Sequence, residues 1–116
     1  MDLMPIHIYE GQPGTAATLI YTCPIEGAII AVDSVLAANT TGTAATVSLQ
    51  RVPKGNTSGT QWSLVTAQSI GANSNAQIFP AGTFVVLNPG DALYALQGTA
   101  SAITLNIDGE IALPGN

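Results

Sequence analysis

The strongest constraint on this chain is a series of short segments in which apolar and polar residues alternate, separated by turn sequences at intervals of about 8–12 residues. Segment 103–108 is the clearest, because isoleucine or leucine alternates there with threonine, asparagine and aspartate. A helix would need apolar residues every three to four positions over about ten residues, and no window has that pattern. The sequence therefore predicts an all-β fold, a jelly-roll-like antiparallel β-sandwich of about eight strands.

Three segments give local predictions within this pattern. The apolar residues of segment 28–38 do not alternate strictly, which indicates a β-bulge near Asp33 and Ser34. The polar sequence GANSNAQ at 71–77 is typical of a loop. The sequence NPGD at 88–91 has proline and glycine at the two central positions of a type II turn, and its aspartate is expected to accept backbone hydrogen bonds.

Residues 1–16 differ from the rest of the chain because two prolines and two glycines interrupt them. We therefore expect an extended N-terminal arm over residues 1–16 and a single β-sandwich domain over residues 17–116. Met4, Ile6 and Ile8 occupy alternate positions and would share one face of an extended arm. Such an arm either pairs with the edge of its own sheet or lies against a neighbouring molecule, and the sequence leaves both arrangements open.

The charge of the chain limits its partners. Only 8% of the residues are charged, against roughly 25% in an average soluble domain. Arg51 and Lys54 are the two basic residues and the formal net charge is −5, so neither nucleic acid nor an anionic membrane surface is an expected partner. The polar strand faces carry neutral hydroxyl and amide groups, which cost little to desolvate. This composition favours a subunit of an assembly over a freely diffusing monomer.

Candidate catalytic side chains are few. His7 is the only histidine, and it lies in the interrupted N-terminal segment, where a rigid catalytic geometry is hard to maintain. Asp108 and Glu110 would share one strand face if the strand continues past Gly109, which we interpret as a solvated carboxylate pair and not as a glycosidase or calcium site. We therefore expect no enzymatic activity, no catalytic residue, no metal and no cofactor. The rival hypothesis of an enzyme requires a pocket that gathers His7 with two carboxylates.

Cys23 and Trp62 are the remaining residues of interest. Cys23 is the only cysteine, which excludes an internal disulfide and a thiol pair for zinc, and we interpret it as a small buried side chain beside Pro24. Trp62 has two interpretations, a core aromatic residue or an anchor at an interface. The first residues of the sequence have neither a cationic nor a long apolar region, so we expect no secretory signal and synthesis in a reducing cytoplasm.

Several short motifs follow one another in a distinctive order. They are the opening-strand sequence Tyr21-Thr22-Cys23-Pro24, then Gly27, the loop from Asn39 to Gly42, the turn Pro89-Gly90-Asp91 and the closing-strand step Gly109-Glu110. In this order they resemble the small β-sandwich structural proteins of tailed bacteriophages, and the resemblance covers residues 19–113. Cys23 departs from it, because that family usually has an aliphatic residue there.

The resemblance implies a virion structural protein, most directly a head decoration (cement) protein that binds the capsid surface and stabilises it. The implied partners are the major capsid protein or another virion protein, and the implied state is a homo-oligomer, preferably a trimer, because such proteins cap local threefold points. The implied location is the virion, assembled in the host cytoplasm. The alternative is a tail, neck or fibre-associated module, for which binding of host carbohydrate would need clustered exposed aromatic residues.

The residues that we predict to form an interface are Met4, Ile6, Ile8 and Tyr9 of the arm, together with Trp62. In this hypothesis the arm lies across a capsid subunit or a sister chain, where strand addition and apolar burial offset the entropy lost on ordering. Removal of residues 1–12 is then expected to abolish or weaken attachment and to leave the sandwich folded.

Overall fold

The computed structural model describes residues 3–24, 28–79 and 82–112, and these residues form nine β-strands and a short 3₁₀ turn. The strands are β1 (Leu3–Gly11), β2 (Thr18–Thr22), β3 (Ile29–Asn39), β4 (Ala45–Val52), β5 (Ser63–Ile70), β6 (Ser74–Gln77), β7 (Val85–Leu87), β8 (Ala92–Gln97) and β9 (Ile103–Ala112), and the 3₁₀ turn is Thr60–Trp62. Gly27 of the motif series, and residues 1–2 and 113–116 of the predicted arm and domain, lie outside the described residues. No helix in the described ranges is long and apolar enough to cross a membrane.

The strands form two antiparallel sheets that pack face to face. Sheet 1 has the order β1-β9-β3-β6, with β7 also paired to β3, and sheet 2 has the order β2-β8-β4-β5. β6 pairs with Leu36–Asn39 and β7 with Ile30–Val32, so both lie along the same edge of β3 and together fill one strand position. Each sheet thus has four positions, and the chain passes between the sheets in jelly-roll order. The predicted antiparallel β-sandwich is confirmed.

One apolar core lies between the two sheets. In segment 103–108 the isoleucine and leucine side chains are fully buried, whereas threonine, asparagine and aspartate are not. Large fully buried side chains also come from β3 and β4, among them Ile30 and Leu49. Each such side chain stabilises the fold by about 1.5–3 kcal/mol on leaving water. Because both inner faces are used for this core, any partner has to bind an outer face or a sheet edge.

The predicted β-bulge in β3 is confirmed. The pairing of β3 with β9 passes from Val32 directly to Ser34, which leaves Asp33 as an extra residue. The extra residue shifts the side-chain alternation by one position, and for this reason Val32 and Val35 are both fully buried. The bulge therefore keeps the core side chains inward and leaves the Asp33 carboxylate exposed.

The N-terminal residues are part of the sandwich. β1 pairs antiparallel with β9, from Leu3 opposite Ala112 to Gly11 opposite Leu105. Of the two arrangements that the sequence left open, the structure has the pairing with the chain's own sheet. The placement across a neighbouring molecule stays a prediction for the exposed side chains of β1, but Ile8 cannot contribute to it because its side chain is buried in the core.

One segment predicted as a loop contains a strand. Within 71–77, the residues Ser74–Gln77 form β6 and pair with Leu36–Asn39 of β3. Most of these side chains are exposed and all but Ala76 are polar, so apolar alternation gives no signal here. The strand forms because β3 offers an unpaired edge, which is a property of the folded sheet and not of the local sequence.

The sequence NPGD at 88–91 forms the predicted type II turn. The N–H of Asp91 donates to the carbonyl of Asn88 at 2.9 Å, and Gly90 has a φ of +91°, as the third residue of this turn requires. The Asp91 carboxylate accepts the backbone N–H groups of Asn88 and Lys54 at 3.0 and 3.1 Å. Asp91 thus accepts backbone hydrogen bonds as predicted, and it joins this turn to the loop after β4.

Candidate functional site

The outer face of sheet 1 carries four carboxylates of the described residues, Glu10, Asp33, Asp108 and Glu110. On β9 the intervening residue Gly109 is buried, whereas Asp108 is exposed and Glu110 is half-buried. Asp108 and Glu110 line one shallow depression on this face. The prediction that these two share a strand face is confirmed. Asp33 joins them because the bulge in β3 leaves its side chain exposed.

His7 lies on β1 next to two of these carboxylates. Its Nδ1 is 2.7 Å from Oδ1 of Asp108, and its Nε2 is 3.6 Å from Oε1 of Glu10. The structure therefore brings His7 together with two carboxylates, which the enzyme hypothesis required. These side chains are more than half exposed, and no hydroxyl or thiol of a described residue hydrogen-bonds to His7. The arrangement places an imidazole beside two carboxylates at the protein surface, without a hydrogen-bonded nucleophile among the described side chains.

Gly109 lets β9 lie close to its neighbours at the centre of this face. A Cβ atom at this position would collide with the carbonyl oxygen of Ala31 on β3 and would come within 3.0 Å of Cδ1 of Ile8 on β1. Glycine is therefore required by close approach of the strands. In the sequence Gly109 is a possible interruption of the last strand and part of the closing-strand motif, whereas its close contacts come from two distant segments.

A groove of about 490 Å³ lies beside the His7 depression on the same face. Asp33 and Glu110 line both the groove and the depression. The groove also exposes two large apolar side chains, since Leu3 is 57% and Phe84 is 62% exposed. The outer face of sheet 1 is thus acidic at the His7 depression, and it is both acidic and apolar at the groove.

The carboxylates of the acidic face are not clustered. Among residues 3–24, 28–79 and 82–112, no group of three histidine, cysteine, aspartate or glutamate side chains is arranged to hold a metal ion. The carboxylates are spread along three strands instead of converging on one point, as a calcium ion would require. What the face offers chemically is a row of hydrogen-bond acceptors with negative charge.

The outer face of sheet 2 has the opposite character. Its four strands contain a single charged residue, Arg51, whose Nη2 donates to Oδ2 of Asp91 at 3.5 Å. Leu19 is 52% exposed and lies opposite Tyr94 in the register of β2 and β8. Leu96 of β8 lies opposite Ser48 of β4. This face is therefore neutral, with apolar side chains among hydroxyl and amide groups.

The predicted interface residues of β1 are not equivalent in the structure. Ile8 is buried in the core, and Ile6 and Tyr9 are half-buried against it. Met4 remains exposed near the end of the strand. Because one side of β1 packs against the core, Met4 is the only one of these four residues whose side chain is largely exposed to solvent. Leu3, which sequence reasoning did not select, is more exposed and lines the groove.

Trp62 lies at the end of the 3₁₀ turn and is half-buried. Its Nε1–H donates to the carbonyl of Thr57 at 3.1 Å, and in the same loop the N–H of Gly59 donates to Oε1 of Gln50 at 3.2 Å. These bonds fold the loop back on itself and onto β4. Trp62 is thus neither part of the buried core cluster nor one of the most exposed apolar side chains, and its role as an interface anchor stays a prediction.

Cys23 is fully buried, as predicted for a small side chain beside Pro24. Its Sγ lies 3.4 Å from the carbonyl of Ala28, and its backbone N–H donates to the carbonyl of Asp91 at 2.8 Å. Burial raises the pKa of the thiol, and the Asp91 carboxylate raises it further. Both effects favour the protonated thiol, and burial removes it from solvent contact.

Comparison with protein-family models, with curated proteins and with solved structures gives no significant match to this chain.

Proposed function

We propose that this chain is a virion structural protein, a head decoration protein that associates with copies of itself and binds the capsid surface. The observation that carries this proposal is the uncharged outer face of sheet 2. The proposed partners are the major capsid protein or another virion protein. The proposed location is the virion, assembled in the host cytoplasm.

The neutral face suits burial against another subunit. Charged side chains on exposed strand faces normally keep a β-protein soluble and discourage edge pairing. In sheet 2 the only charged residue is Arg51, which is paired with Asp91, while Leu19 is among the most exposed apolar side chains. Neutral hydroxyl and amide groups cost much less to desolvate than charges do, so covering this face is favourable.

The fold supports the same proposal at a coarser level. Double-sheet jelly rolls occur in viral capsid proteins and in lectin domains, where they present large flat outer faces. A fold does not fix a function, so the character of the outer faces carries the proposal. The mechanism proposed is mechanical: copies cover one another through sheet 2, preferably as a trimer at a local threefold point, and the acidic face of sheet 1 remains available.

Size-exclusion chromatography with light scattering tests the self-association. We expect an oligomer at micromolar concentration and its dissociation in Leu19→Lys, because a buried ammonium group opposite Tyr94 has no carboxylate nearby on sheet 2. Leu3→Lys is the matched control, since Leu3 is similarly exposed but lies on sheet 1. A monomeric wild-type protein, or equal effects of the two variants, contradicts the proposal.

Electron cryo-microscopy of purified virus particles that contain the chain tests its position. Jelly-roll density on the outer surface of the head, at local threefold points, is the expected result. Density confined to the tail or neck contradicts head decoration and supports the alternative described next.

The alternative proposal is a tail, neck or fibre-associated module that binds host carbohydrate. Phe84 favours it, because among the aromatic residues of the described chain it alone is largely exposed and it lies beside Asp33 and Glu110. Tyr21 and Tyr94 are half-buried on sheet 2 and add nothing to this group. A glycan array tests it: a reproducible saccharide signal that Phe84→Ala abolishes supports the alternative, and no signal contradicts it.

A further inference from the structure

The groove beside the His7 depression combines two features that seldom occur together on an uncovered surface. It exposes the side chains of Leu3 and Phe84, and it is lined by the carboxylates of Asp33 and Glu110. Neighbouring exposed apolar side chains with a polar rim are typical of a binding groove. The floor is the outer side of sheet 1, including Ala31, and is set by the core packing beneath it.

The two carboxylates of the groove have no partner among the described residues. The side chains of Asp33 and Glu110 form neither a hydrogen bond nor an ion pair there. The other carboxylates of the described ranges, by contrast, each lie near Arg51 or His7. The groove therefore presents uncompensated negative charge next to apolar surface, which is complementary to a segment that carries cationic and aliphatic side chains.

A second copy of this chain does not supply such a segment. The sequence contains two basic residues, Arg51 and Lys54. Arg51 is paired with Asp91, and the alkyl chain of Lys54 lies against the turn at Gly90, where an added Cβ would come within 2.6 Å of it. Arg51 is thus held by Asp91, whereas the exposed ammonium group of Lys54 forms no ion pair with a described residue. A second copy therefore offers one available cation for two carboxylates, so a segment with two cations has to come from a different protein.

We propose that the groove formed by Leu3, Phe84, Asp33 and Glu110 binds a segment of another protein in which arginine or lysine side chains flank an aliphatic side chain. The aliphatic group would cover Leu3 and Phe84, and the cations would contact the two carboxylates. This interaction goes beyond the self-association assigned to sheet 2 and uses the other face of the sandwich. Binding of this segment and self-association through sheet 2 can therefore be tested independently of each other.

Fluorescence anisotropy with a short labelled peptide that alternates arginine and leucine tests the proposal on the full chain. We expect saturable binding that weakens as salt is raised, and at least about tenfold weaker binding of a peptide that alternates glutamate and leucine. The double variant Asp33→Asn/Glu110→Gln should lose about tenfold in affinity. Phe84→Ser should weaken binding without changing the salt dependence, because it removes apolar contact only.

The matched control is the double variant Glu10→Gln/Asp108→Asn, which removes the same charge from the same face outside this groove. We expect a clearly smaller loss than in Asp33→Asn/Glu110→Gln, about threefold or less, since Glu10 and Asp108 lie outside the groove and next to His7. Equal losses in both double variants mean non-specific attraction and overturn the proposal. Failure of the wild type to bind the arginine–leucine peptide also overturns it, whatever the oligomeric state.

Discussion

His7 on the first strand of sheet 1 and Asp108 on the last are joined by a contact of 2.7 Å between Nδ1 and Oδ1, although 101 positions separate them in the sequence. Both side chains are 52% exposed. Water therefore screens the interaction between the two side chains. The contact results from the register of β1 and β9 and contributes little to fixing that register.

His7→Ala is accordingly expected to lower the free energy of unfolding by less than about 1 kcal/mol. Urea unfolding of His7→Ala, Asp108→Asn and the double variant measures the coupling between the two side chains. A coupling energy above about 2 kcal/mol would contradict this account. A catalytic role for His7 would instead require that His7→Ala abolish an activity while leaving stability unchanged.

Gly109→Ala should destabilise the protein by about 1–3 kcal/mol, because the added methyl group meets the Ala31 carbonyl and the Ile8 side chain. Gly42→Ala is the control, since no atom lies within 4 Å of a Cβ at that position. We expect the control to stay within about 0.5 kcal/mol of the wild type in the same chemical denaturation experiment. Similar values for the two variants would show that β9 relaxes easily away from β3.

Ile8→Ala should lower the free energy of unfolding by about 2–5 kcal/mol, since Ile8 belongs to the core. Met4→Ala, on the same strand but exposed, should change it by less than about 1 kcal/mol. Thermal unfolding followed by circular dichroism distinguishes the two. An equally small effect of both would restore the idea of a separate N-terminal arm, which the pairing of β1 with β9 argues against.

The stability of the protein should fall as the pH rises above about 9. Burial and the Asp91 carboxylate raise the pKa of Cys23 above its ordinary value of 9.0. The unfolded chain therefore loses the thiol proton at a lower pH than the folded protein does. Below that pH both states keep the proton, so this group does not make stability depend on pH there. Cys23→Ala should flatten the decline measured by urea unfolding between about pH 9 and 10. An unchanged slope would contradict the raised pKa.

Above about pH 10 we expect Tyr21 to contribute a further decline in the free energy of unfolding. Burial raises its pKa above 10.0, and the neighbouring Cys23 raises it further. Tyr21→Phe should leave the decline near pH 9 in place and reduce the part that begins at about pH 10.

Several parts of the fold follow directly from local sequence. Segment 103–108 alternates strictly and forms the first part of β9 with its apolar side chains buried, because a side-chain period of two matches a strand with one face in a core. The bulge at Asp33 was readable because the apolar pattern loses its phase there. The turn at 88–91 was readable because proline and glycine fix the two backbone conformations that it needs.

The candidate site was only partly readable. The same-face placement of Asp108 and Glu110 follows from their spacing on one strand. The proximity of Asp108 and Glu110 to His7, Asp33 and Phe84 does not follow from the sequence, since these residues come from β1, β3 and the segment before β7. Sequence patterns carry no information on which strands become neighbours, so the groove was missed.

The sequence alone determined an all-β sandwich with few charges, because strand periodicity and turn chemistry are local properties and composition is fixed by the chain. Only the tertiary structure decided that β1 completes sheet 1, and that the carboxylates gather on that sheet while sheet 2 stays neutral. The physical reason is that strand pairing depends on backbone hydrogen bonds between distant segments, which are the same for every residue type except proline. The choice among pairings is made by how all the apolar side chains bury together, and the character of each outer face follows from that choice.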